Sequence, residues 1–500
     1  MLPKKIIYTI AIAMSVLSCV EKPSATFLGQ GMMAGEVGET SVILQTRLTS
    51  SDTLMVGDLP GANGWARFEV SKSNVSSEPS MITDWLEADV YKDYIIKSFV
   101  EGLLPNQSYT YQVRYGRDTL TTTVSPAGAF KTLAGNTVSA ERSMVVVTGM
   151  NYYHFHYGNY DSTLQYMGVD KHLGYPALET ILELQPDYFV GTGDNVYFDH
   201  PAWKSIVRAQ ERGRPVLMGL FDGHEVKDEQ GMRKKYHVQF VQPRFKDLFR
   251  SVGTYWEKDD HDYRINDSDP YIDFPITHEQ GIQNFREQLP VVDPNDAEAV
   301  TYRTHRMTKD LQVWFLEGRD YRSANGDPDG PAKTIWGSEQ KAWLQATLQA
   351  SDARYKLIIS PTPLVGPDGG KKRDSHVNLD GFRHEGDAFF QWLVDHQFSS
   401  DSLFIVCGDR HWQYHAIHPS GFHELSCGAL VDANSRAGVL AGDPNSTDPT
   451  GEIQQLYVQG KPQEASGGFL KIDLQFLEQV PSLKFSFFDE RGKLHYAVVK

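Results

Sequence analysis

The chain is poor in cysteine, in positive charge and in long apolar runs, and each shortage excludes something. Its three cysteines, Cys19, Cys407 and Cys427, make no disulfide framework, and no Cys-x-x-Cys pair is present, which excludes a structural zinc ribbon. Cys407 and Cys427 are expected as buried free thiols. Lysine and arginine (48) are outnumbered by aspartate and glutamate (64), giving a formal net charge of −16. A basic surface for nucleic acid is therefore not expected. An anionic substrate would need local compensation, which bound cations supply. Beyond the N-terminal segment no apolar run reaches the length of a membrane span. What is present is 500 residues with 40% hydrophobic and 12% aromatic content, enough for real cores and for two domains, one of them large.

Lys4 and Lys5 precede an apolar run from Ile6 to Leu17, the layout of an export signal. The run ends in Val16-Leu17-Ser18-Cys19, a small residue directly before a cysteine, which resembles a bacterial lipoprotein signal. That resemblance implies removal of residues 1–18, lipidation of Cys19, and a mature protein anchored to a membrane outside the cytoplasm. A plain secretory signal is the alternative.

From residue 27 to 133 the pattern is all-β. Ser41–Arg47 and Ala66–Val70 alternate, Tyr94–Val100 follows, and turn-rich gaps separate them. The run Leu103-Leu-Pro-Asn-Gln-Ser-Tyr109-Thr-Tyr111-Gln-Val113 resembles the late strands of a fibronectin type III-like sandwich. With no clustered histidines or carboxylates, this part reads as a packing module. Residues 134–142 read as a linker, and 143–500 as a layered α/β domain. There, apolar strands (Ser143–Thr148, Gln312–Leu316, Lys356–Ser360, Ser402–Cys407) alternate with helices at Pro176–Leu184, Arg233–Phe249, Ser338–Leu348 and Gly386–His396. Gly468–Leu474 and Leu483–Phe488 return to β and are expected to complete the sheet.

Three polar clusters stand at strand ends. In Asp187-Tyr-Phe-Val-Gly-Thr-Gly-Asp194-Asn-Val-Tyr197-Phe-Asp199, a strand enters a glycine turn that delivers a carboxylate and, three residues on, a phenol. Both are oxygen donors suited to a hard cation such as ferric iron. The second cluster, Asp259-Asp260-His261-Asp262, sets a ligating carboxylate beside a histidine able to reach substrate. The third, Cys407-Gly408-Asp409-Arg410-His411-Trp412, spaces Asp409 and His411 so that they can serve neighbouring ions. A rival, Asp222-Gly223-His224-Glu225, has glycine where a ligand should precede the histidine, and reads as a surface turn.

These motifs, with Leu316-Glu-Gly-Arg319-Asp-Tyr-Arg322, Gly337-x-Glu-Gln340-x-x-Trp343-Leu344 and Glu424-Leu-Ser-Cys427, resemble the PhoD-like alkaline phosphatases of the metallophosphoesterase superfamily. The resemblance covers most of residues 27–500. It implies a four-layer sandwich of two mixed sheets flanked by helices, behind a small N-terminal β-sandwich. It implies Asp194 as a metal-bridging carboxylate, Tyr197 as an iron ligand, Asp260 on the second ion, Asp409 and His411 completing the shells, and His261 as the catalytic acid. The implied reaction is hydrolysis of phosphodiesters or phosphomonoesters. One departure stands out: such enzymes have a cysteine after the first strand, where this chain has Thr148-Gly149-Met150-Asn151-Tyr152. Asn151 is then the candidate ligand, with His154 or His156 as substitutes. Calcium with iron, zinc or manganese are the candidate ions. Arg319 and Arg322 are expected in a structural ion pair with Asp320 or a neighbour. Hydrolysis of a sulfate or a phospholipid head group, and a non-catalytic calcium-stabilised binding lipoprotein, remain the competing readings.

Overall fold

The structure, a computed structural model, describes residues 25–73 and 79–500; the segment read above as an export signal, and Cys19, lie outside the described residues. Three parallel strands form its centre, Arg142–Val147, Tyr188–Thr192 and Gly253–Glu257, with Val147 level with Gly191 and Gly191 level with Trp256. They are buried nearly end to end, as Met144–Val147 and Tyr188–Val190 announce by their apolar runs; Gly253–Glu257 is as buried although it carries Thr254 and Glu257. The C-terminal strands Gly468–Leu477, Val480–Asp489 and Leu494–Val499 extend this sheet on one side. On the other side it continues through Met32–Gly35, Ser41–Arg47 and Ile95–Glu101 to nine strands. Met32–Gly35 runs parallel to Gly253–Glu257, so one sheet of the N-terminal sandwich is hydrogen-bonded into the central sheet. A separate six-stranded sheet, built on Trp65–Lys72 and Ser108–Gly116, faces those three strands. Phe68, Val70, Tyr111 and Val113 pack there with Val42, Leu44 and Ile96.

A second, seven-stranded sheet, including Leu311–Phe315, Tyr355–Ser360, Leu403–Cys407 and His423–Cys427, packs against the first. Val146, Val190 and Tyr255 from one sheet meet Val313, Phe315, Ile359 and Val406 from the other. The outer face of the first sheet is covered by Pro176–Leu184, Glu229–Phe240, Pro243–Phe249 and His278–Gln288, through Leu178, Tyr236, Phe245 and Phe285. Gly337–Ala350 and Arg383–Asp395 cover the second through Leu344, Leu348 and Phe389. The result is helix, sheet, sheet, helix, with the expected β-sandwich ahead of it. The helix expected over Arg233–Phe249 is instead two, because Pro243 lacks the donor to continue a helix and starts the second. No helix of the described residues is long and apolar enough to cross a membrane.

Candidate metal centre

Three parallel strands end at the same edge of the two packed sheets, and each passes into a tight polar turn. After Thr192 the chain turns through Gly193 (φ +92°) and Asp194 (φ +54°). After Cys407 it turns through Gly408 to Asp409, also left-handed (φ +56°). A non-glycine residue in this region carries backbone strain, which is observed mainly where a site requires it. A β-carbon on Gly193 would lie 2.5 Å from Asp259, and one on Gly408 would lie 2.6 Å from Thr192 Oγ1, so glycine is what lets the turns close on one another. Asp262 locks the first two turns together: its carboxylate accepts the backbone N–H groups of Asp194 (3.2 Å), Asn195 (3.1 Å) and Asp259 (2.7 Å) and the Asn195 side chain (2.6 Å).

The side chains so delivered converge. Asp194 Oδ2 accepts from the Tyr197 hydroxyl at 2.8 Å and lies 3.2 Å from His411 Nε2, which is 3.3 Å from that hydroxyl. Donor atoms of Asp194, Asp260 and His261 lie within 4.8 Å of one another, as do those of Asp259, Asp260 and Asp409, and those of Asp199, His200 and His261. Asp194, Tyr197, Asp260, His261, Asp409 and His411 therefore meet at one place.

Asn151 stands at the edge of this group in a different capacity. Its Oδ1 caps the helix Tyr152–Tyr157 by accepting the His154 N–H, and its amide nitrogen faces His200 Nδ1. Of the substitutes, His156 turns away to Gln242, whereas His154 Nε2 is buried beside the site with no partner. Arg319 pairs with Asp259 (2.8 and 2.5 Å) instead of Asp320, which pairs with Lys258. Arg322 donates to the Asp374 carbonyl and leaves two nitrogens unpartnered. In the rival cluster His224 stacks on Trp203 (ring centroids 4.7 Å apart), and none of its residues joins the groups above.

Three residues given no role on sequence grounds belong to the site: Asp199, His200 and Asp259. Asp199 and His200 close the opening strand-turn motif, and a carboxylate–imidazole pair just after the phenol was the signal for them.

The electrostatics are those of a place short of positive charge. Burial, reinforced by Asp260, Asp262 and Asp409, pushes the Asp194 carboxyl well above the usual carboxylate range. Burial raises Asp259 likewise, against the opposing pull of Arg319. Asp194 Oδ1 and Asp259 Oδ2 are both buried without a hydrogen-bond partner. A buried, unpartnered carboxylate oxygen is costly, and a cation removes that cost. The oxygens and imidazole nitrogens fit hard or borderline cations. Burial opposes ionisation of His261, but Asp199, Asp260 and Asp194 outweigh it and hold its pKa well above the ordinary histidine value. Its Nδ1 lies 2.6 Å from Asp199 Oδ1, and that carboxyl is held well below its usual range: burial raises it, and the charges of His261 and His200 outweigh the burial. Burial pushes His200 down to about 4, and pushes His411 well below the usual value, so both are neutral near pH 7.

Comparison with known proteins gives the same picture. The PhoD-like phosphatase model matches residues 145–476, and the model for the N-terminal domain of such phosphatases matches residues 13–134. Alkaline phosphatase D of Bacillus subtilis (strain 168) is 23% identical over 354 residues, 66% of this chain and 54% of the relative. The chain thus spans about half the length of that curated relative. Among solved structures, PhoD superposes with a TM-score of 0.69 at 17% identity, covering 95% of this chain and 88% of the other. A purple acid phosphatase from yellow lupin (Lupinus luteus) seeds gives a TM-score of 0.56 at 12% identity, covering 95% and 74%. At these identities the two structures show a shared fold. With its catalytic-domain model matched over most of the two-sheet body, and the three strand-end motifs brought to one edge, this chain belongs to the PhoD-like phosphatase family.

Proposed function

We propose that the chain is a metal-dependent phosphoesterase that hydrolyses phosphodiesters or phosphomonoesters outside the cytoplasm. The observation that carries this reading is the convergence of unpartnered, buried carboxylate oxygens on Asp194 and Asp259 with a histidine held in its acid form. Asp194, Tyr197, Asp260, Asp409 and His411 would hold the ions, with Asp259 and His154 added by the geometry. Calcium with iron, zinc or manganese suits this set; among the described residues no cysteine joins these groups, and Met150, in the loop after the first strand, donates its N–H to the Asp194 carbonyl at 2.9 Å. Such ions supply Lewis acidity toward the phosphoryl oxygens and activate water.

The chain's own residues do the rest. Asp199 accepts from His261 Nδ1–H, fixes the ring, and leaves Nε2–H to face the leaving group. As the ester P–O bond breaks, the proton passes from His261 Nε2 to the departing alkoxide. Of the cations that act electrostatically on Asp409 (Arg410, Lys372, Arg319 and Arg436), Lys372 pairs with Asp267 at 2.9 Å, whereas Arg436 has no carboxylate partner among the described residues and gives an otherwise acidic chain local attraction for a phosphate. The Lys4–Cys19 segment supports anchoring through a lipidated Cys19; metabolic acyl labelling that is lost in Cys19→Ala tests it. For the reaction, bis-p-nitrophenyl phosphate and p-nitrophenyl phosphate are assayed with wild type, Asp194→Ala and His261→Ala. Hydrolysis by wild type and its loss in both variants is expected; equal rates in all three overturn the reading, as does cleavage of a sulfate ester in preference to both phosphates.

A further inference from the structure

Two asparagines beside the centre fix the protons of two imidazoles in opposite ways. Asn151 Oδ1 is committed to the helix cap, where it accepts the His154 backbone N–H at 3.0 Å. The group 2.7 Å from His200 Nδ1 is therefore the Asn151 amide nitrogen, which only donates. His200 Nδ1 must accept, and the single proton of the neutral ring resides on Nε2. Asn434 does the reverse. Its amide nitrogen faces the Gly149 carbonyl (3.2 Å) and the Tyr197 hydroxyl (2.8 Å), so its Oδ1 accepts from His154 Nδ1 at 2.8 Å. His154 is left with a bare Nε2, a lone pair suited to a cation; His200 is left with an Nε2–H, which is not.

The His200 ring is firmly placed. It stacks on Tyr197 (centroids 4.9 Å apart, planes 26° apart), lies 4.8 Å from the His154 ring and 5.1 Å from the His261 ring. The buried Lys235 ammonium donates to its backbone carbonyl. Among the described residues its Nδ1 has a partner and its Nε2 has none, and its side chain is half-buried beside His261. One nitrogen of each ring and one Asp199 oxygen lie within 4.8 Å of one another.

We infer that His200 is a second catalytic imidazole: a neutral donor, its tautomer set by Asn151, whose Nε2–H binds a non-bridging oxygen of the substrate's phosphoryl group while His261 serves the leaving group. Asn151 is on this account a positioning residue that acts through His200. The assignment rests on the phosphoesterase reading above. No bond is made or broken at His200; it holds charge that grows on the phosphoryl oxygens in the transition state.

The test uses the full chain and two substitutions. His200→Phe keeps a flat ring for Tyr197 and removes the donor; His200→Gln carries an amide N–H near the position of Nε2. His200→Phe is expected to lower kcat/KM on bis-p-nitrophenyl phosphate about 10²-fold and to weaken inhibition by inorganic phosphate, with bound metal unchanged. His200→Gln is expected to recover most of both. In long-range proton–nitrogen NMR of the wild type, His200 is expected as the Nε2–H tautomer, and as a mixture in Asn151→Ala. Unchanged kinetics and phosphate inhibition in His200→Phe overturn the assignment. So does loss of metal from both variants, which would make His200 a ligand. An active wild type with an inactive His261→Ala and a fully active His200→Phe sinks this inference alone; an inactive wild type sinks the parent reading as well.

Discussion

Two buried charge clusters in this molecule look alike in composition and differ in completeness. Where the helix Glu229–Phe240 meets the N-terminal strands, Asp93 accepts from Arg47 at 2.8 Å through one oxygen, and from His237 at 2.7 Å and Gln288 at 2.9 Å through the other. His237 reaches Asp58 with its remaining nitrogen at 2.8 Å. Among the described residues, no polar side-chain atom of Asp93, Arg47, His237, Gln288 or Asp58 is buried without a partner. At the strand ends the carboxylates outnumber their partners, and Asp194 Oδ1 and Asp259 Oδ2 meet nothing. Density of buried charge is thus common to a structural joint and to the proposed metal centre. Unspent coordinating capacity is what separates them.

Removing one carboxylate from each cluster should therefore have opposite consequences. The largest effect expected is Asp194→Ala on activity, a fall of about 10⁴-fold in kcat/KM. In chelator the same variant should unfold in urea at or above the wild-type midpoint, because an uncompensated carboxylate has left the interior. A clear drop in that midpoint would mean that Asp194 is a structural group after all. Asp93→Ala should do the converse. Breaking a buried, fully paired carboxylate costs about 3–5 kcal/mol, read from urea unfolding, with the rate per folded molecule unchanged.

Glu385 sharpens the contrast through pH. Its carboxylate accepts from Thr334, the Ile335 N–H (2.7 Å) and His376 (3.0 Å). Burial raises its pKa, and the His376 and Thr334 contacts outweigh that and bring it down to about 2. A carboxyl lowered on folding stabilises above its unfolded pKa and loses that contribution as pH falls through the folded one. Glu385→Gln should then cost about 2 kcal/mol at pH 7, and the gap to wild type should close between about pH 4.3 and the folded value near 2. A gap that widens on acidification would contradict the assignment. Smallest of all, Glu225→Gln in the rival turn should change stability by no more than about 0.5 kcal/mol and leave metal content alone.

How much of this was legible in the sequence follows from the range of the forces involved. Asp194 and Asp409 each follow an apolar strand, Asp260 follows an aromatic one, and all three stand in or next to a tight turn, a local pattern; parallel strands of one body end at one edge. Those three could be read in advance, as could the layered α/β fold. Asn151 was read as a ligand because it lies where a thiol was expected, yet an asparagine directly before a helical run is also a cap, and the cap is what the structure shows. Pro243 was a local stop signal within the expected helix. Other features had no local signature. Asn434 meets His154 across 280 residues of chain, and the four-residue strand Met32–Gly35 carries no alternation to announce its pairing with Gly253 and Thr254. Arg319 was expected beside Asp320, but Lys258 already neutralises that carboxylate, and the guanidinium spans to Asp259.

The central claim is that the unpartnered donors around Asp194 exist to hold cations, and elemental analysis of chelator-free protein tests it most directly. About two ions per chain are expected in the wild type, with loss of at least one in Asp194→Ala and none lost in Asp93→Ala. Metal-free wild type after loading with calcium, iron, zinc and manganese in turn, or equal metal content in all three proteins, would contradict it.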